Sequence, residues 1–323
     1  MSDSKSKTKT LVVFGATGNV GSALINNLAH TYQALVKNNT ATSTVFSIVA
    51  FVRDPNAGSA KRLSALPGVR IVHVQNYMDE PAKAFEAAGL GKGEVYGVFS
   101  NQGYVDPKVE EAQGKAIIDA AAALGCSHFV YNSVDMGRSS PPGPAFTSKY
   151  NVEEHLKSIF SSPTNASTGF GWTIIRPSQF MDNLLPSSAF MFKLSRTMLL
   201  RRTFYTHPER KHQMVSTRDI GRVSARAFEK PEEFKSRTIC LSGDEFTMPE
   251  LEAIYKEEMG EPIKETFATL VSIVKLLVPF LRQMAEAQDQ EGFSADIPLL
   301  RKEFPDLEDL RAFLRRYRAE RGL

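Results

Sequence analysis

Cysteine is scarce in this chain. Cys126 and Cys240 are the two among 323 residues, and they stand in no metal-ligand or dithiol redox spacing. So few thiols in a chain this long fit a reducing compartment, and both read as small buried hydrophobes. Long apolar runs are also missing. The longest, Phe267–Leu281, is interrupted by Thr269, Ser272, Lys275 and Pro279 and is too short to cross a bilayer. Its Leu270, Ile273, Val274, Leu277 and Leu281 recur at helical spacing, which predicts a helix covering a core or a substrate pocket. An excess of one charge is absent as well. Thirty-nine basic and 36 acidic residues leave a net charge of +3, too balanced to suggest a nucleic-acid or membrane partner. Histidines are few. His207 and His212 flank Glu209 at a spacing that does not converge on one helix face, so no metal site is expected, and His155 reads as a surface or packed residue.

What is present is an ordinary globular composition, 42% hydrophobic and 23% charged, long enough for one large domain or two lobes. Met1–Thr10 is polar and lysine-rich, with no apolar run, and reads as a disordered tail (1–9) rather than a secretory signal. Apolar runs at Leu11–Phe14, Phe46–Val52, Val69–Val74, Tyr96–Ser100, His128–Asn132 and Trp172–Ile175 predict strands. Helical patterns fall between them, at about Val20–His30, Pro81–Ala88, Lys108–Leu124 and Tyr150–Ile159. The polar stretches Thr31–Thr44 and Ser158–Gly171 read as loops. The alternation predicts an α/β fold, a doubly wound parallel sheet. After Pro177 it weakens: Ser187–Arg202 and most of Pro249–Leu323 look helical, with late strands at about 213–216 and 238–242. The expected organisation is a core over 10–181 and a smaller, mostly helical C-terminal substrate or partner lobe over 182–323, whose late strands return to the core.

Between the first strand and its helix lies Gly15-Ala16-Thr17-Gly18-Asn19-Val20-Gly21. One glycine permits the tight turn, one lets backbone approach a pyrophosphate, and one lets helix pack on strand. The helix N-terminus then offers free N–H groups and partial positive charge to the phosphates. A glycine pattern alone is weak; this one has the required strand before it and helix after it, which is the dinucleotide-binding context of a Rossmann fold. The second strand ends in Arg53, followed by Asp54-Pro55. NAD sites place a carboxylate there for the ribose 2′-hydroxyl, whereas an arginine suits the 2′-phosphate of NADP. Arg53 therefore favours NADP(H), with Lys61 or Arg62 as helpers. The bland alternative is a surface arginine paired with Asp54.

With these motifs, the sequence resembles the NmrA-like family of atypical short-chain dehydrogenases. The resemblance is carried by Val13–Gly21, Val52–Pro55, His128–Val134, Ser148–Leu156, Trp172–Pro177, Phe180–Leu184 and Ser216–Gly221, and runs from about Leu11 to Met259. That family contains NAD(P)H-dependent reductases and also non-catalytic proteins that sense the NADP(H) state and bind regulators. The resemblance implies a C-terminal lobe closing over the nicotinamide end, with Phe180, Met181 and Asn183 near the substrate. It also implies cofactor contacts from Ser100, Asn101, Gln102, Asn132 and Ser133. Where the family often has an adenine-touching aspartate, this chain has Gln75-Asn76-Tyr77, and Asn76 is the replacement expected to hydrogen-bond there.

Short-chain dehydrogenases use a serine, a tyrosine and a lysine four residues beyond the tyrosine. Ser133 and Lys149 are present, but the tyrosine position, twelve residues beyond Ser133, is Ala145. In an enzyme reading, Lys149 binds the nicotinamide ribose and supplies the proton itself or through water, with Tyr104 as a substitute donor. Tyr150 projects from another helix face and is a poor one. In a sensor reading, Lys149 only anchors the ribose, and a regulatory protein is the partner; Arg201-Arg202 and Arg210-Lys211 would dock an acidic surface, unless they are simply solvated. A third alternative pairs Lys149 with Glu153 at i, i+4. The expectation is a cytoplasmic NADP(H)-dependent oxidoreductase acting on a small organic substrate. The rivals are a redox sensor, for which a nuclear location also fits, and a protein with a vestigial fold that binds no dinucleotide.

Overall fold

The computed structural model describes residues 8–38, 45–103, 106–137, 142–160, 170–186, 196–197, 200, 207–264 and 292–323. The chain forms two compact units that interleave along the sequence instead of meeting at one boundary after residue 181. The first comprises Met1–Ser133, Ser148–Ile175 and Ile220–Ile239; the second comprises Val134–Thr147, Arg176–Asp219 and Cys240–Leu323. The interleaving arises because late segments return to the first unit, among them most of the helix Thr217–Glu229 and the start of the strand Arg237–Leu241.

The first unit is built on a seven-stranded sheet. Its strands are β1 (Thr8–Phe14), β2 (Val45–Val52), β3 (Val69–His73), β4 (Val95–Ser100), β5 (His128–Asn132), β6 (Gly171–Pro177) and, at the edge, Arg237–Leu241. The order is β3-β2-β1-β4-β5-β6 and then Arg237–Leu241, and β1 to β6 pair in parallel. Parallel strands are covered on both faces, so they read as continuous apolar runs: Leu11–Phe14 and Phe129–Tyr131 are each wholly buried. The helices between them are α1 (Asn19–Asn38), α2 (Gly58–Ser64), α3 (Pro81–Ala87), α4 (Pro107–Ala123) and α5 (Thr147–Phe160). One core cluster packs Phe14, Phe51, Tyr77 and Phe85 together, with the Phe14 and Phe51 ring centroids 5.1 Å apart. Strand order reverses between β1 and β4, and ligands of such sheets bind beyond the carboxyl ends of the strands at that point.

Two expectations change. Thr31–Thr44 is not a loop throughout, because α1 continues to Asn38. Residues 31–38 contain no glycine or proline and carry helix-forming Gln33, Ala34, Leu35 and Lys37, so nothing in the backbone stops the helix at His30. The late strands part company. Arg237–Leu241 joins the main sheet, while His212–Val215 pairs with Asp244–Phe246 and Gln179–Phe180 in a separate three-stranded sheet of the second unit. The predicted helices at Ser187–Arg202 and Phe267–Leu281 lie largely or wholly outside the described residues.

The second unit has its own core, including Met181, Leu184, Met214, Phe246, Leu251, Tyr255, Phe313 and Leu314. Its last helix, Leu310–Arg321, is rich in arginine. It buries Leu310, Phe313, Leu314 and Tyr317. Three of its arginines form ion pairs: Arg311 and Arg315 with Glu258, and Arg316 with Glu308. No helix among the described residues is long and apolar enough to cross a membrane.

Candidate functional site

A cavity of about 510 Å³ opens at the carboxyl ends of β1 and β4, where the strand order reverses. It is lined by Gly15, Thr17, Gly18, Arg53, Asn76 and Asn101 among others, all within the first unit. These are six of the residues singled out from the sequence, and the fold has brought them to one place from four separate segments.

The glycine loop is shaped by two close approaches. Gly15 has a φ of +81°, and a Cβ on it would lie 2.4 Å from the Asn101 carbonyl oxygen. A Cβ on Gly21 would lie 2.3 Å from the Gly15 carbonyl oxygen and 2.9 Å from the Ala16 Cα. Only glycine lets the loop close against β4 and lets α1 start against the loop. Gly18 differs: its nearest neighbour would be the Gly15 oxygen at 3.4 Å, so the protein itself leaves that space free. The Gly18 N–H donates to the Gly15 carbonyl at 3.1 Å. Asn19, Val20 and Gly21 form the first turn of α1, where backbone N–H groups have no partner within the helix, and no acidic residue opposes an anion there.

Arg53 is exposed at the end of β2. It forms no ion pair with Asp54 among the described residues; Asp54 Oδ1 accepts the Asn56 N–H at 2.8 Å instead. Its charge is felt across the cavity wall at Tyr77. Burial pushes the Tyr77 phenol up, while Arg53 and a backbone hydrogen bond from Gly15 pull it down. At the end of β4, Gln102 Nε2 donates to Ser100 Oγ at 2.7 Å, both side chains being buried. Asn132 Nδ2 donates to Asn101 Oδ1 at 2.9 Å, which ties the end of β5 to the cavity wall. The buried Gln102 Oε1 and Asn132 Oδ1 have no hydrogen-bond partner among the described residues. Such orphaned acceptors are what a ligand would satisfy. Hydroxyl, guanidinium, carboxamides and helix N–H groups together make a donor set that fits a dinucleotide with anionic phosphates.

The expected catalytic residues are placed differently. Lys149 stands in the first turn of α5, and its Nζ pairs with Glu110 Oε1 on α4 at 2.8 Å, not with Glu153. Glu110 Oε2 also accepts from Ser148 Oγ at 2.8 Å. Ser133 Oγ donates to Glu153 Oε1 at 2.6 Å, and Glu153 is wholly buried. No hydrogen bond joins Ser133 to Lys149. Ala145, at the tyrosine position, is buried. Tyr104 lies outside the described residues. A different tyrosine stands by: the Lys149 ammonium is 5.8 Å from the centroid of the Tyr131 ring. The Tyr131 hydroxyl is buried without a partner, and burial, with Glu110 and Glu153 nearby, pushes its pKa well up. It therefore stays a neutral phenol and cannot reach a substrate in this arrangement. The sequence gives no signal for Glu110 beside Lys149, for Glu153 as the partner of Ser133, for the buried Tyr131 hydroxyl, or for Met78, Asp79, Gly103 and Gln113 in the cavity. Only packing shows what these residues touch. No cluster of three or more potential metal ligands occurs among the described residues.

The model of the NmrA-like family matches residues 7–296. This chain belongs to the NmrA-like family. An NmrA-like relative from a Cladobotryum species, described as the domain-containing oxidoreductase FrzB, is 28% identical over 190 residues. The match takes in 55% of this chain and 48% of that protein, so the chain spans about half the length of the curated relative. Solved structures share the fold. The transcriptional regulator NmrA with NADP superposes with a TM-score of 0.63 at 17% identity, over 95% of this chain and 94% of that one. The Citrobacter sp. triphenylmethane reductase with NADP(H) gives 0.65 at 18%, over 95% and 99%. The Escherichia coli quinone oxidoreductase QOR2 with NADPH gives 0.64 at 19%, over 94% and 98%. The NmrA-like architecture therefore supports both a regulator and reductases.

Proposed function

We propose that this NmrA-like protein binds NADP(H) in the cavity at the glycine loop and uses it as an oxidoreductase on a small organic substrate. The observation that carries the cofactor choice is Arg53, a guanidinium at the cavity wall that is not neutralised by its neighbour Asp54. Relatives and neighbours described as reductases support the enzymatic part. When bound, the dinucleotide supplies hydride-transfer chemistry. The chain's own residues do the rest. The N–H groups at the start of α1 and the Thr17 hydroxyl hold the pyrophosphate, and Arg53 holds the 2′-phosphate. Asn101 and Gln102 contribute amides at the end of β4. Lys149 keeps two N–H donors beyond the one it gives Glu110, enough to hold a ribose hydroxyl or to donate towards a substrate oxygen.

A second reading draws on a specific observation. The single Ser133 hydrogen is already given to the buried Glu153, and Ala145 offers no acid. Ser133 and Lys149 are then structural ties, and the protein reports the NADP(H) state to a protein partner. Parallel calorimetric titration with NADPH, NADP⁺ and NADH, followed by an NADPH-oxidation assay with quinones and enones, tests both. Selective binding of the phosphorylated forms and turnover lost in Lys149→Ala support the oxidoreductase. Binding that differs strongly between NADPH and NADP⁺ without turnover supports the sensor. No binding of any form removes both.

A further inference from the structure

The second unit buries a cation that has no counter-charge among the described residues. Arg196 is 6% exposed. Its Nε is shut off from solvent without a hydrogen-bond partner, and the guanidinium forms no ion pair among the described residues. An arginine cannot shed its proton to relieve this, because the guanidinium stays charged across the pH range of a folded protein. Residues 187–206 contain no Asp or Glu and add Lys193, Arg201 and Arg202. Burial pushes the Tyr255 phenol up and the charge of Arg196 pulls it back, so the guanidinium stands near the helix Met248–Met259. The acids that follow Tyr255 pair with other cations: Glu257 and Glu258 with Arg311, and Glu261 with Lys264.

An uncompensated buried charge is costly, and an anion held at close range removes the cost. The surroundings limit what that anion is. Tyr255 belongs to one buried apolar cluster with Leu184, Leu200, Met214 and Leu251, and Leu200 lies four residues beyond Arg196. A phosphate dianion would bring more charge than one guanidinium balances, and would give up its hydration to an apolar wall. A carboxylate carries a single charge, and its two oxygens match the guanidinium fork. We propose that Arg196 anchors a binding site in the second unit for an organic carboxylate with an apolar body. This site goes beyond the NADP(H) reading and does not rest on it.

The test is calorimetry and thermal unfolding of the full chain with benzoate and hexanoate, set against benzamide, hexanamide and inorganic phosphate. The carboxylates should bind and raise the unfolding temperature as their concentration rises, and the amides and phosphate should not. Arg196→Met removes the charge and keeps an unbranched apolar stem. It should weaken carboxylate binding about tenfold or more, the range of hydrogen bonds to a charged group. Without any ligand, the same variant should unfold at an equal or higher urea concentration than the wild type, because it removes an unpaired buried charge. A clearly lower urea midpoint would mean that Arg196 is already paired inside the chain, and would overturn the proposal. Binding of phosphate as tight as that of the carboxylates would overturn the assignment of the ligand class. No binding of either carboxylate to the wild type would overturn the site itself.

Discussion

Arg53 and Tyr131 show how a single side chain acquires a role from what surrounds it. Arg53 is legible in the sequence because it follows an apolar strand and a glycine loop, but its freedom from Asp54 is a fact of the fold. Arg53→Ala should weaken NADPH binding by roughly ten- to a hundredfold, the range for a lost charge-assisted phosphate contact, and leave NADH nearly unchanged. Equal losses for both cofactors would count against it. Tyr131 teaches the reverse lesson. In the sequence it is one more strand residue; in the fold its hydroxyl is buried, has no partner among the described residues, and feels the charges of Glu110 and Glu153. An unsatisfied buried hydroxyl is a burden, so Tyr131→Phe should leave stability unchanged or raise it by up to about 1 kcal/mol in urea unfolding. A marked loss would mean the hydroxyl has a partner.

At the scale of elements, the junction of β1, the glycine loop and α1 is held by close backbone approaches. Gly21→Ala would drive a methyl group to 2.3 Å from a backbone oxygen. Since a backbone contact cannot rotate away, we expect a loss of about 1–3 kcal/mol in unfolding free energy together with loss of dinucleotide binding. Gly18→Ala, whose nearest contact is 3.4 Å, should spare stability, and calorimetric binding alone should report its effect. This junction was readable because strand, loop and helix are contiguous and each has a local signal. The extension of α1 to Asn38 was not, because polar composition resembles a loop when the helix-forming tendency of each residue is set aside. The Ser133–Glu153 and Lys149–Glu110 ties were equally hidden, since they join residues 20 and 39 positions apart on different elements.

At the scale of the whole molecule, stability should depend on pH through a histidine far from any chemistry. His128 Nε2 lies 2.9 Å from Thr173 Oγ1, and Thr173 gives its own hydrogen to the Phe234 carbonyl, so the imidazole donates through Nε2. Burial, reinforced by the nearby charge of Lys235, pushes its pKa down to about 4. A histidine held neutral in the fold binds fewer protons than in the unfolded chain. Its stabilising effect is therefore complete above pH 6.5 and is lost as the pH falls from 6.5 towards 4. Linkage sets the loss at about 2 kcal/mol by pH 5. Denaturant unfolding at pH 7.5 and pH 5 should show this drop, and His128→Gln should flatten it. An identical slope in the variant would place the effect elsewhere.

The sequence by itself determined the α/β class, the alternation of strands and helices in the first half of the chain, the glycine loop and the arginine at the end of β2. These are written in contiguous patterns of apolar runs, glycines and a charge, where short-range sterics and burial on both sheet faces leave little choice. Only the tertiary structure decided that Asp79 and Gln113 share the cavity with Arg53, and that Ser133 and Lys149 are held by carboxylates. It also decided that late strands divide between two sheets. Those outcomes depend on which distant elements pack together, and the free energy of such contacts belongs to pairs of residues that no local window of the sequence contains.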